Sequence, residues 1–440
     1  ATVAPGKEWK AEARAASGDM KSVLLELGSS QPLNMASRVA QLIEYPHGCA
    51  EQTTSKVLAQ LCLADFTQLT PEQRSRVEAN VNAGIKKLTS HAAADGGVAY
   101  WSGGSNSDLF CSAYAYVMYC EAESRGYYVP SSRKGALARF LRMSSANWGK
   151  KTGSSAASDF AFALYALAAD GKAQMGAMNR MRETLASAKD VPAEAYNALA
   201  AAYAASGNAD EARRLLVKGQ AGTPLRLLAQ AGVADPMAAT TADALRKKLV
   251  SDQWMSTLQI GSSLLSWAHY AKVNATARSM EAKVTLGGKE LASVKTDKMA
   301  WSHDAAVSKP AAVAVKNTGD GTIFVTMTTK ATATQTDVAA ASDGLRVEEA
   351  MRGDSRRFKA GETREASVRV TNTSGRDLER VAVTYILPAG VEILKVSGED
   401  CSHHDVRDDR VLFYADNLPA GQHASITLTL SATYAGTYYK

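Results

Sequence analysis

Tyr45-Pro46-His47-Gly48-Cys49-Ala50-Glu51-Gln52 sets a cysteine and a glutamine three positions apart at the expected mouth of a helix. Pro46 and Gly48 hold the chain out of helix just before Cys49, whereas Glu51 through Leu58 can continue as one. Residues i and i+3 share a helix face, so the Cys49 thiol and the Gln52 carboxamide can meet. Attack of the sulfur on the side-chain carbonyl, with loss of ammonia, would close an internal thioester in a ring of roughly fifteen atoms and leave the glutamine acyl group activated. An amine or hydroxyl of another molecule could then take that acyl group and release Cys49, whose ordinary pKa of about 8.5 makes it a good leaving group. Such chemistry is spent once per chain. A lone Cys-x-x-Gln is usually a buried core cysteine, so the rest of the sequence must decide.

Working outward, 440 residues exceed one ordinary core and predict roughly two to four domains. A chain 46% hydrophobic and 21% charged is globular rather than disordered. The net charge of +6 is spread thinly, with no Lys/Arg run longer than Arg246-Lys247-Lys248, so no nucleic-acid partner is implied. Cys49, Cys62, Cys111, Cys120 and Cys401 are odd in number and lack Cys-x-x-Cys spacing, which argues against a disulfide framework or a zinc site. Cys62 and Cys120 fall in apolar helical runs and read as core. No stretch reaches the roughly twenty apolar residues of a membrane span, and Ala1 and Tyr438-Tyr439-Lys440 read like the ends of an excised fragment.

Ser22-Val23-Leu24-Leu25-Glu26-Leu27 is strand-like, and its only strand-rich partners lie after residue 275. A helical domain inserted into a β-domain is therefore expected. From Asn34 to about Val273 the pattern becomes alanine-rich with helical spacing, about twelve segments in all. They are clearest over Val57–Phe66, Pro71–Leu88, Ser112–Glu121, Ser158–Ala168, Ala195–Ala205, Ala209–Leu216 and Ser256–Ala271. So many helices can close into an α/α toroid or run as an open solenoid; no thirty-four-residue period recurs, which favours the toroid. Asp95-Gly96-Gly97-Val98-Ala99-Tyr100-Trp101-Ser102-Gly103-Gly104-Ser105 superficially suggests a phosphate loop, yet it lacks the following Gly-Lys-Ser/Thr and the preceding strand. From Glu281 the period shifts to two, and from about Thr336 it does so again between Pro-Ala-Gly turns at 388–390 and 419–421, which reads as an antiparallel β-sandwich. Cys401-Ser402-His403-His404-Asp405 reads as a solvent loop rather than a metal cluster, since adjacent strand side chains point oppositely.

With the flanking Leu33-Asn34, Ser37-Arg38-Val39 and Leu42-Ile43, residues 45–52 resemble the thioester region of the bacterial alpha-2-macroglobulins. The family motif is Cys-x-Glu-Gln after Gly, matched at Gly48, Cys49, Glu51 and Gln52. Gly96-Gly97, Tyr100-Trp101, Gly103-Gly104 and Ser256-Thr257-Leu258-Gln259 also resemble family segments, so the likeness spans most of the chain. It implies a multidomain α and β architecture: an α/α toroid of about six helix pairs inserted in a small CUB-like β-domain, followed by a macroglobulin-like β-sandwich. The boundaries expected are 1–30 for the first CUB-like strands, 31–273 for the thioester domain, 274–335 for the rest of the CUB-like domain, and 336–440 for a sandwich that ends before its last strands.

The resemblance further implies a broad protease inhibitor that traps proteases and couples to them through their lysine amines, single-use chemistry rather than an enzyme, with no cofactor and no metal. Upstream macroglobulin-like and bait domains would supply specificity. The full-length protein would be a periplasmic, membrane-tethered lipoprotein of the cell envelope. Cys49 and Gln52 would form the cross-link. Tyr45, Pro46, His47, Gly48, Glu51, Tyr100 and Trp101 would shield or position it, Tyr45 as the lid. Complement-type relatives use a toroid histidine to pass the acyl group on; here none stands between Ala92 and Ala268, so direct attack by amines is expected. Two other classes fit the residues alone: a cysteine acyltransferase or hydrolase on an α/α toroid, and a non-catalytic helical scaffold with an inert Cys49.

Overall fold

The computed structural model describes residues 1–16, 18–29, 38–39, 42, 48–148, 156–229, 232–251, 253–274, 279–332, 341–351, 357–397 and 400–438. The chain divides into two compact units, 1–335 and 336–440. Among the described residues the first unit holds eleven α-helices: α1 Ala50–Phe66, α2 Pro71–Leu88, α3 Leu109–Ser124, α4 Ser131–Ala146, α5 Ala157–Ala169, α6 Met175–Ser187, α7 Ala193–Ala205, α8 Ala209–Lys218, α9 Pro224–Leu228, α10 Ala238–Val250 and α11 Thr257–Asn274. None of them is long and apolar enough to cross a membrane.

Odd and even helices have different surroundings. α1, α3, α5, α7, α9 and α11 each pack on the next odd helix, and α11 returns onto α1. α2, α4, α6, α8 and α10 pack outside them. The ring closes, giving the α/α toroid. Composition explains the two roles: α5 and α7, rich in alanine, bury all but a few of their side chains because small residues let helices pack on several sides at once. α8, outside, buries only Ala212, Leu215 and Leu216.

Three features hold the closure of α11 on α1. Thr257 Oγ1 at the start of α11 donates to both carboxylate oxygens of Glu51, at 3.1 and 2.9 Å. At the other ends Lys272 lies 3.8 Å from Asp65, so the two helices run parallel. Between these points Gly261 lets the backbones approach: a Cβ there would stand 3.0 Å from Ser55 Cα and 2.9 Å from the Tyr114 hydroxyl, which itself hydrogen-bonds Ser55 at 3.1 Å. Beside this seam Arg38 donates to the carbonyls of Leu249, Lys248, Ser251 and Gln253, tying together the last turn of α10 and the segment just past it.

The β part of this unit is two antiparallel-rich sheets around one apolar core. Strand Asp19–Gly28 lies between strands Ala300–Ala306 and Ile323–Thr332, so the first thirty residues pair with strands that follow the helices. The helical ring is thus an insertion. Immediately after α1, Thr67 and Gln68 add a short parallel strand to the edge at Ala300 and Trp301, fixing the far end of α1 to the sheet. The unit 336–440 holds a four-stranded and a three-stranded sheet whose inner faces share one core, including Val368, Val370, Phe413, Ile426 and Leu428. One expectation fails here. His403–Val406 is not a loop but an edge strand paired with Arg410–Leu418; His403 stacks on Tyr414 at 5.8 Å between ring centres while His404 is exposed. Among the described residues no three His, Cys, Asp or Glu side chains gather as a metal would require.

Gly261→Ala tests the closure. On helix propensity alone alanine would stabilise by up to about 1 kcal/mol, but overpacking against the Ser55 backbone costs about 1–3 kcal/mol. Net destabilisation in denaturant melts is expected; a stabilised variant would show that α11 is not held this tightly on α1.

Candidate functional site

Cys49 is the N-cap of α1, with extended backbone at φ −62° and ψ 170°. A helix N-terminus leaves several N–H groups without partners, and here the side chains of Cys49 and Gln52 settle two of them. The Gln52 N–H donates to Cys49 Sγ at 3.5 Å, and the Cys49 N–H donates to Gln52 Oε1 at 3.1 Å. This is a capping box with cysteine in the place usually held by serine or threonine. The Ala50 N–H is satisfied by the Tyr100 carbonyl at 2.9 Å. Cys49 is fully buried and Gln52 only 9% exposed.

The glycine-rich loop delivers that carbonyl. Asp95 accepts from the Gly97 N–H and from Ser107, Arg133 of α4 donates to the Gly96 and Gly97 carbonyls, and the Ser112 hydroxyl of α3 receives the Val98 N–H. Gly96 has φ +92°, a conformation glycine adopts without strain. The loop is thus pinned from two helices and sets Tyr100 over the start of α1. Trp101 meets Tyr100 edge to face at 4.8 Å.

Burial pushes the Cys49 thiol up to about 11. The Gln52 N–H opposes the shift, the Glu51 charge adds to it, and a hydrogen bond from the Tyr100 hydroxyl opposes it again. Below that pH the sulfur is a thiol. Glu51 is no solvated side chain: besides Thr257, its carboxylate accepts from Ser55 at 2.7 Å. Beside Glu51 and Gln52 lies a cavity of about 130 Å³ whose wall includes Leu42, Met255, Thr257 and Ile260. Trp254, 76% exposed, stands at its edge and also lines a neighbouring basin of about 700 Å³ at the N-terminal ends of the inner helices.

Of the residues singled out in the sequence, Gly48, Cys49, Glu51, Gln52 and Tyr100 meet at this one turn, with Trp101 behind Tyr100. Tyr45, Pro46 and His47 lie outside the described residues. His269 is elsewhere: it pairs with Glu121 at 2.7 Å, twelve residues beyond Thr257 and so about 18 Å down α11. The residue missed is His91. It ends the turn Thr89–His91, is fully buried, and lies with Nδ1 3.3 Å from the Ala99 carbonyl, while among the described residues Nε2 meets no hydrogen-bond partner. Burial holds its pKa below the usual range, so the ring is neutral at pH 7. Only the fold brings this turn beside the loop of Tyr100; no spacing in the sequence marks it.

Comparison with known proteins accords with this architecture. The family described as A-macroglobulin TED domain matches residues 21–154, and the family described as Bacterial Alpha-2-macroglobulin MG10 domain matches residues 336–440. Alpha-2-macroglobulin of Escherichia coli strain K12 is 29% identical over 202 residues, 42% of this chain and 12% of that protein. Alpha-2-macroglobulin of Xylella fastidiosa is 30% identical over 118 residues, 25% of this chain and 7% of that protein. The matched stretches are thus a small part of these relatives' length. In structure, Salmonella alpha-2-macroglobulin reacted with methylamine superposes with a TM-score of 0.79 at 22% identity, over all of this chain and 31% of that one. Native Escherichia coli alpha-2-macroglobulin, from domain MG7 to the C-terminus, gives 0.76 at 20% identity, over all of this chain and 76% of that one.

The thiol makes a direct prediction. In a Gln52→Leu chain, where no acyl transfer is possible, alkylation of Cys49 followed by peptide mapping should rise about tenfold per pH unit toward pH 11. At pH 8 it should run about a hundredfold below a thiol of pKa 9.0. Tyr100→Phe, which deletes a bond to the thiolate, should slow it further. Alkylation already at its plateau by pH 9 would contradict the buried placement. Capped cysteine, inserted toroid, terminal β-sandwich and matched domains agree: the chain belongs to the bacterial alpha-2-macroglobulin family, with its TED domain and MG10 domain.

Proposed function

We propose that Cys49 and Gln52 form an internal thioester, and that this chain is the conjugating part of a single-use protease trap. The observation that carries the proposal is the reciprocal cap, which folds the Gln52 carbonyl back over the helix mouth beside Cys49 Sγ in a buried site. The same hydrogen bond has a chemical use: attack on the Gln52 acyl carbon builds negative charge on Oε1, where the Cys49 N–H already donates. Tyr100 and Trp101 would keep water from the acyl carbon, and Tyr45 is proposed as a further shield. The β strands around the helical ring are proposed as a CUB-like domain. For the whole protein the reading extends to covalent capture of proteases through lysine amines, further macroglobulin-like and bait domains, and a lipid-tethered place in the periplasm.

Intact mass is the test. The folded chain should weigh one ammonia less than its sequence; methylamine should add once, at Gln52, and expose one new thiol at Cys49. Cys49→Ala should abolish both changes. An unreacted chain of full sequence mass, with Cys49 open to alkylation before any amine is added, would defeat the proposal.

A further inference from the structure

We infer that Glu51 is a catalytic residue of the acyl transfer, and that the cavity against Gln52 is a subsite for a primary ammonium group whose proton Glu51 removes. The inference rests on the thioester reading above. At about 130 Å³ the cavity approaches the roughly 150 Å³ of an engineered protein cavity that holds benzene, so it can take methylamine or the end of a lysine side chain. Among its described lining residues Glu51 is the one ionisable side chain. Its carboxylate is fixed by hydroxyls from two helices, Ser55 of α1 and Thr257 of α11, one residue from the acyl group.

The chemistry needs such a group. At neutral pH a primary amine is an ammonium ion without a lone pair, since a lysine titrates near about 10.4. The carboxylate draws the cation in and, as general base, takes one proton from it as the nitrogen attacks, which frees the lone pair. That lone pair forms the bond to the Gln52 acyl carbon. The carbon–sulfur bond breaks, its electron pair stays on Cys49 Sγ, and the sulfur takes a second proton from the nitrogen. The net change converts thioester and ammonium to amide and thiol, with one proton released through Glu51 to solvent.

The experiment compares methylamine, a cation at neutral pH, with hydroxylamine, which is uncharged there, following each by mass. Glu51→Gln should slow methylamine at pH 7 by ~10-fold or more while changing hydroxylamine by less than about twofold. Glu51→Asp should fall between. Raising the pH, which supplies neutral amine from solvent, should narrow the methylamine defect. A purely structural Glu51 would slow both nucleophiles together and show no pH rescue, and that result overturns the inference. If Glu51→Gln forms no thioester, Glu51→Asp and Thr257→Val, which leaves the carboxylate but loosens it, carry the same comparison. A wild-type chain with no ammonia deficit is a different failure: it removes the thioester reading itself, and this inference with it.

Discussion

The site depends on the unpaired N–H groups at the start of α1. Every helix has them, and the usual remedy is a serine or threonine cap with glutamate or glutamine three residues on. Here that remedy uses the two side chains whose reaction is at issue. Converting Gln52 to a thioester removes only its amide nitrogen; Sγ and Oε1, the two atoms that cap the helix, remain in the product. The same two atoms persist after an amine has opened it. The helix mouth therefore needs no new hydrogen-bond scheme at any step, which suits chemistry that begins and ends in a buried place.

What holds that mouth in register is the closing of the helical ring. Glu51 is adjacent in sequence to Gln52 and is also the contact through which α1 meets the start of α11, 206 residues later. Gly261, Ser55 and Tyr114 form a close junction one to two turns further in, and Arg38 ties the segment that leads into α11. The ring seam and the Cys49–Gln52 turn thus share Glu51 as a common contact.

The parts legible in the sequence were those with local signals. α2 announces itself by Thr70, Pro71 and Gln73, a capping box with proline in the first turn, and the Cys49–Gln52 pair is an i, i+3 spacing. α4, α6 and α10, all outer helices, were not among the clear segments. α9 is only five residues long and gives no periodicity to read. In the site, Tyr100 came from family resemblance and not from spacing. The Glu51–Thr257 contact and the burial of His91 were invisible because each joins segments only through ring closure or loop packing. His403–Val406 was misread because Asp and Ser around it favour turns, while the pairing that makes it a strand comes from Arg410–Leu418.

Cysteine is a poor choice for the first position of a capping box. Sulfur is a weak acceptor, and its contact here is long, 3.5 Å. Serine at the same extended backbone would satisfy the Gln52 N–H with a stronger bond, and good caps are worth about 1 kcal/mol. Judged by folding alone, position 49 is suboptimal. Under the proposed thioester, the local stability forgone there is the physical mark such an atom would leave, readable without any relative for comparison: a helix start that runs against the interest of its own helix is where selection for chemistry would outweigh selection for fold.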